Sequence, residues 1–292
     1  MVSEAFVTLT IQTLVAGTLF SLVGVSLNLL YSVTRLLNIA TGEFVMIGAY
    51  TTYWLFTEFS ISPLLSHVLV LVLFSIAGAV SYILAFRRLT EQGVSEKTEV
   101  ASLLIFFSII LVAQNFIILR FTSTYQGYAF MMQSVNIFGV NIAANKLVLI
   151  AFGLLALLAI HLLLSTKNLG LAMKATIQNR TAAQLVGIDV RLIDLITVSL
   201  SLGLAAFAGS LLSMTFNFEP FIGLYYTISA LIVMVIGGVG NISGTLIGGM
   251  ALGLVNAAGS YYFSPGVAVA ISYGIFFAIL LVRPRGLFRG IL

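Results

Sequence analysis

Residues 167–194 read KNLGLAMKATIQNRTAAQLVGIDVRLID. Lys167, Lys174, Arg180 and Arg191 share this stretch with Asp189 and Asp194, although only 8% of the chain is charged. Apolar runs flank it, IAFGLLALLAIHLLL at 150–164 and LITVSLSLGLAAFAGSLL at 195–212. Crossing the roughly 30 Å hydrocarbon core of a bilayer takes about 17–25 mostly apolar residues, which both runs approach. A polar island between two such runs must lie in water or against a partner that tolerates charge.

Outward from the island the same pattern continues. Of 292 residues, 60% are hydrophobic, where a soluble domain has about 45–50% apolar and about 25% charged residues. Inside a bilayer only helices and closed barrels satisfy the backbone. The apolar runs are unbroken and do not alternate, so the expected fold is an all-α polytopic membrane protein. Windows fall near 6–33, 36–56, 62–86, 100–119, 146–165, 192–216, 221–239, 242–262 and 266–282. They predict eight to ten transmembrane or re-entrant helices in one membrane domain over 1–292, with 167–191 as a loop inside it.

Basic residues in short loops mark the cytoplasmic side. Arg87, Arg88 and Lys97 place 87–99 there, and the island and the C-terminal tail (Arg283, Arg285, Arg289) follow. The turn around Glu58 carries no basic residue and is expected outside. Segment 120–145, uncharged after Arg120 and rich in Tyr, Phe, Gln and Asn, reads as an external loop with interfacial aromatics. The N-terminus lacks the positive region of a cleaved signal, so the first run is expected to be retained.

Two windows are poor continuous helices. SVTRLLNIATGEFVMIGAY (32–50) is interrupted by Arg35, Asn38 and Glu43, and VMVIGGVGNISGTLIGGMALG (233–253) is glycine-rich around Asn241. Irregular backbone at membrane depth is tolerated where protein buries it or a cavity needs it, and broken helices build transporter binding sites. A translocation path lined by Asn38, Thr41, Glu43, Gly240 and Asn241 is expected. Glu43 is the acid deepest in an apolar window, hence a functional candidate by default; pairing with Arg35 is the structural alternative. For Gln114 and Asn115 hydrogen bonding across helices is favoured over substrate contact, and for the glycines of 237–253 close helix packing is favoured over ligand contact.

Within the island, Thr181-Ala-Ala-Gln184 has capping-box spacing, and Gly187 suits the left-handed residue that ends a helix. With Asn168 preceding Leu171–Gln178, this predicts two short helices joined near Asn179. Neither has a clean apolar stripe for lipid. A mixed surface of this kind suits docking to another protein; an ordinary solvated loop is the alternative.

Several chemistries are excluded or disfavoured. The chain has no cysteine, and its two histidines, His67 and His161, lie far apart in apolar runs. A metal pair is disfavoured, and no cofactor is expected. No G-x-x-x-x-G-K-[ST] occurs, so ATP hydrolysis is not expected here. The net charge of +4 is too scattered for nucleic-acid binding.

The island with its following helix, together with YSVTRLLNIATGEFVMIGAY (31–50), GGVGNISGTLIGGMALGL (237–254) and RPRGLF (283–288), resembles the permeases of branched-chain amino acid ABC transporters. The match is best to the first of that family's two permease types. The resemblance implies a prokaryotic inner-membrane, multi-pass subunit without enzymatic activity. It implies a second homologous permease, two ATP-binding cassette subunits and an extracytoplasmic substrate-binding protein as partners, and a small-molecule substrate. Members of the family also carry urea and short amides. It further implies that Lys174, Asn179, Leu185, Gly187 and Ile188, together with the Thr181 cap, form the contact with the ATPase. Two positions depart from the family pattern: Thr41 replaces its usual His, and Lys174 its usual Arg. An ion-coupled secondary transporter using Glu43 is the competing function, and it has no need of the capped island.

Overall fold

The computed structural model describes residues 2–91, 96–137, 139–165 and 168–283. Lys167, Arg285 and Arg289 of the charge pattern lie outside them, and so does all of RPRGLF after Arg283. The chain is helical almost throughout: α1 Val2–Thr34, α2 Thr41–Phe59, α3 Pro63–Ser81, α4 Arg87–Glu91, α5 Glu96–Phe121, α6 Ala144–Ser165, α7 Leu169–Gln178, α8 Arg180–Leu185, α9 Val190–Ser213, α10 Ile222–Gly237, α11 Ile242–Tyr262 and α12 Pro265–Val282. A π-helical turn, Tyr82–Phe86, joins α3 and α4 into one rod. Among the described residues seven helices are long and apolar enough to cross a membrane. With α2 (19 residues) and the shorter α10 (16 residues), the helices packed in the bundle number nine, within the expected eight to ten.

α1 and α9 form the centre. In their apolar windows 83% and 78% of residues are buried, against 22% for the α3–α4 rod, α5 and α6, which present their Leu, Val and Phe side chains to lipid. Glycines allow the close approaches. A Cβ at Gly253 would fall on the backbone of Gly17, one at Gly249 on Ser21, one at Gly48 on the Ala206 carbonyl and one at Gly209 on the Val45 carbonyl. With Gly78 of α3, where a Cβ would meet the Ser199 backbone, the α1–α11, α2–α9 and α3–α9 seams are backbone-to-backbone contacts, which favours van der Waals packing where lipid offers no hydrophobic drive. The glycines of 237–253 that form these seams pack against α1 or one another, as the packing reading expects.

Pairings along the helices set their directions. Ser21 meets Leu246 while Asn28 meets Thr245 and Gly238, and Ser26 meets Ser201. α1 therefore ends beside the start of α11, the end of α10 and the first half of α9. Arg87, Arg88, Lys174, Arg180, Arg191 and Arg283 gather at this end; Glu58, Arg120, Lys146 and Glu219 lie at the other.

Segment 120–145, expected as a loop, carries the strands found among the described residues. It holds an antiparallel hairpin, β1 Ser134–Ile137 with β2 Val140–Ala143, in register Ser134↔Ala143 to Ile137↔Val140. Gly139 adopts φ +85° and donates its N–H to Asn136 Oδ1, a turn conformation natural to glycine. A bridge between Gln126 and Phe218 ties the segment to the end of α9, and Phe218 packs on Tyr50 at 4.9 Å.

Candidate coupling surface and membrane path

The expected break at 32–50 is present. α1 ends at Thr34, Arg35 has φ +57°, and 35–40 is not helical. Such a φ is rare for a residue with a Cβ and marks a forced turn. Leu36 and Ala40 then pack with Tyr82, Phe86, Phe106 and Leu202, so the irregular segment runs back into the bundle. Asn38 folds it locally: its Oδ1 accepts from Ala40 N–H at 2.9 Å, and its carbonyl accepts from Thr41 Oγ1 at 2.8 Å. Thr227 on α10 stitches it across, donating to the Ile39 carbonyl and accepting from the Gly42 N–H at 2.9 Å. A Cβ at Gly42 would land on the Gly223 carbonyl, so α2 begins pressed against the first turn of α10.

Glu43 is 2% exposed. Its partner is not Arg35: Oε1 accepts from Gln114 Nε2 at 2.9 Å, and Oε2 has no partner. Gln114 therefore bonds across helices as expected. Asn115 does not, because it points outward and donates to the Leu111 carbonyl of its own helix. Asn38 Nδ2 is a second buried polar atom without a partner beside the same break. Buried polar atoms without partners are uncommon and call for an explanation; waters or a ligand are the usual ones.

The second break spans Gly238–Asn241, between α10 and α11. Gly238 and Gly240 have φ +82° and +81°. Asn28 satisfies both sides, donating to the Gly238 carbonyl at 3.0 Å and accepting from Gly240 N–H at 2.8 Å. Asn241 caps α11 by accepting from Gly244 N–H at 2.9 Å. The two breaks sit at opposite ends of α10. Asn38, Thr41 and Glu43 are buried within the chain, while Gly240 and Asn241 reach the basic end half-buried. They do not form one pocket. An apolar cleft of about 570 Å³ between α2, α3 and α5 contains none of them; it opens on the lipid-facing flank, lined by Trp54, Leu73, Ile76 and Phe116 among others.

His67 is satisfied in the core on one side: its Nδ1 lies 2.6 Å from Ser210 Oγ, which also accepts from Thr52. This buried polar chain joins α2, α3 and α9 and was invisible to motif reading. His161 is exposed, and among the described residues no cluster could hold a metal ion.

The island forms the two short helices expected, but its cap is different. Asn179, extended at φ −155°, caps α8 by accepting from Ala182 N–H at 3.0 Å. Thr181 sits one turn-position inside α8 with its side chain exposed, so the Thr181–Gln184 capping box does not form. Asn179 lies where the cap geometry needs it because α7 ends there; Thr181 has only the matching spacing. The C-terminal reading holds. Gly187 has φ +88°, its N–H donates to the Gln184 carbonyl at 3.0 Å, and Ile188 N–H donates to the Ala183 carbonyl at 3.0 Å. That pair of bonds is a Schellman motif with Gly at C′. Asp189 then caps α9, accepting from Arg191 and Leu192 N–H.

The faces of the island differ. Met173 packs with Leu29, Val33 and Ile193, and Arg180 makes a bidentate ion pair with Asp194, one bond being 3.0 Å. On the other side Leu185 and Val186 are 84% and 76% exposed, and Lys174 is exposed too. An apolar knob on a capped helix at the polar end of a membrane protein is a surface that calls for a partner.

The family model for the branched-chain amino acid transport system permease component matches residues 9–283. The chain belongs to that family. It is 31% identical over 287 residues to a probable branched-chain amino acid transport permease protein LivH of Methanocaldococcus jannaschii, covering 94% of this chain and 90% of the relative. It is 26% identical over 283 residues to the high-affinity permease protein LivH of Escherichia coli (93% and 91% covered). To BraD of Pseudomonas aeruginosa it is 25% identical over 285 residues (94% and 92%). No solved structure matches. This permease is accordingly a multi-pass protein of the inner membrane.

Proposed function

We propose that this permease is the membrane subunit of an importer powered by ATP hydrolysis on separate subunits, and that it carries branched-chain aliphatic amino acids. The basic end then faces the cytosol, as the positive-inside rule requires for Arg87, Arg88, Lys174, Arg180 and Arg191. The observation that carries the reading is the α7–α8 island. One face is locked to α1 and α9, and the other exposes Leu185 and Val186 beside Lys174. An ATPase receives that knob; Asn179, Gly187 and Ile188 hold its shape, and Thr181 lies on its rim. A secondary transporter gains nothing from such a surface.

Substrate passes along a face shared with a second permease, fed by an extracytoplasmic binding protein. Asn38, Thr41, Glu43, Gly240 and Asn241 act on this path from the two breaks at the ends of α10. The breaks give α2 and α11 starting points that can shift against α10, exposing Asn38 and Glu43 to the zwitterionic head of an amino acid while Leu, Val and Ile walls suit its tail.

Uptake by the whole reconstituted complex tests the reading. Leu, Ile and Val are expected to enter with ATP and binding protein present. Entry of urea or short amides instead would reassign the substrate, and entry driven by an ion gradient without ATP would overturn the proposal.

A further inference from the structure

Docking alone does not move a membrane helix; the docked element must be stiff where it joins the bundle. Arg180 is the first residue of α8, and Asp194 lies one turn into α9. Nη1 and Nη2 of Arg180 donate to Oδ1 and Oδ2 of Asp194 respectively. The Asp194 side chain is 0% exposed and that of Arg180 21%. Fork-to-fork pairing fixes orientation as well as distance, and separating it would strand a buried carboxylate, which is far costlier than breaking a surface pair.

The same turn of α9 is held from two further directions. Met173 of α7 packs on Ile193 within one apolar cluster. Glu91 of α4 contacts Arg191 at 2.9 Å and Arg87 at 3.0 Å; these latter pairs are largely exposed and contribute little individually. Beyond this turn α9 runs past Gly78 and Ser75 of α3, then Gly48 and Val45 of α2. Val45 lies two residues from Glu43.

We infer that Arg180 and Asp194 are positioning residues for coupling: their buried ion pair joins α8 to α9 as one rigid body, so displacement of the docking knob is delivered through α9 to the start of α2. This rests on the reading of α8 as an ATPase dock. The exposed knob without the pair would be a hinged flap, absorbing motion in the Gly187 turn.

The chain has no cysteine, so spin labels can be placed by Gln184→Cys and Phe216→Cys, both at exposed positions, roughly 35–40 Å apart along α9 at 1.5 Å per helical residue. In the assembled complex the pulsed-EPR distance is expected to be narrow and unchanged between nucleotide-free and ATP-trapped states. A shift of more than a few Å between the states overturns the inference, and this measurement keeps the native pair. Arg180→Gln is expected to broaden the distribution and to raise ATP hydrolysed per substrate imported at least fivefold. Arg180→Lys, which keeps charge but loses the fork, should fall between. An unchanged ratio in Arg180→Gln also overturns the inference. The docking reading fails separately, if Leu185→Asp retains the ATPase subunits and normal uptake.

Discussion

The amide oxygen of Asn28 accepts the backbone N–H of Gly240 at 2.8 Å, across 212 residues of sequence. With the Nδ2 bond to Gly238, this single side chain, 0% exposed, satisfies both sides of the break between α10 and α11. Asn28→Leu keeps the branched outline and removes both bonds, together with the one from Nδ2 to Thr245 Oγ1. Each orphaned backbone group costs about 1–3 kcal/mol. A clearly lowered thermal-unfolding midpoint in detergent is expected, and an unchanged midpoint would mean the break does not depend on Asn28.

The α2–α9 seam should be intolerant of a single methyl. A Cβ at Gly209 meets the Val45 carbonyl, and one at Gly48 meets the Ala206 backbone, with no flexible side chain to yield. Separating two packed helices also forfeits their other contacts. Gly209→Ala and Gly48→Ala are expected to reduce the monodisperse folded fraction on size exclusion. Gly274→Ala on α12, which opens onto free space, serves as the control and should be indistinguishable from the parent. If all three behaved alike, backbone contact would not be what holds the seam.

Much of this fold was legible before the structure, for an identifiable reason. Hydropathy reports what the bilayer demands of every span, so the nine windows recur as helices, the window at 242–262 as α11. The breaks were legible because Asn and Gly cannot be explained by lipid contact. The hairpin at 134–143 was not, because short strands in a polar loop carry too weak a period beside aromatic residues. The cap was misassigned to Thr181 because spacing alone does not say where the preceding helix stops. Asp194 was missed for a different reason: its role depends on Arg180, 14 residues earlier across a turn, and no motif encodes that pairing. The Glu43–Gln114 contact, 71 residues apart, was beyond reach for the same reason.

That contact yields a prediction of its own. Glu43 Oε1 accepts from Gln114 in a buried site. Glu43→Gln keeps an acceptor for Gln114 and adds a donor, so folding should survive. Glu43→Leu leaves the Gln114 amide half-buried without its acceptor, at a cost of about 1–3 kcal/mol. Thermal midpoints are expected in the order parent, Glu43→Gln, Glu43→Leu, the first two close together. If ATP-driven uptake is also retained in Glu43→Gln, the carboxylate charge is not needed for transport. If uptake is lost while the midpoint is kept, Glu43 acts on the path through its charge.

The last prediction separates the two ends of α8. Asn179 caps it by accepting from Ala182 N–H, whereas the exposed Thr181 does not. Replacing a helix cap with Ala costs about 0.5–2 kcal/mol, little for the whole bundle but large for a helix of six residues. Asn179→Ala should therefore weaken coupling, and Thr181→Ala should not. At the other end a Cβ on Gly187 would meet nothing within 4 Å, so only its φ of +88° resists substitution. A β-branched residue tolerates that conformation worst, and Asn tolerates it better than most. Uptake is expected to fall in the order Gly187→Asn, then Gly187→Val, with protein level and insertion preserved in both because the turn is exposed. ATP hydrolysis should persist in Gly187→Val, so that more ATP is consumed per substrate. Gly187→Val importing at the parental rate with ATPase subunits bound would show that the turn's geometry is not used in coupling, and Thr181→Ala matching Asn179→Ala would return the cap to Thr181.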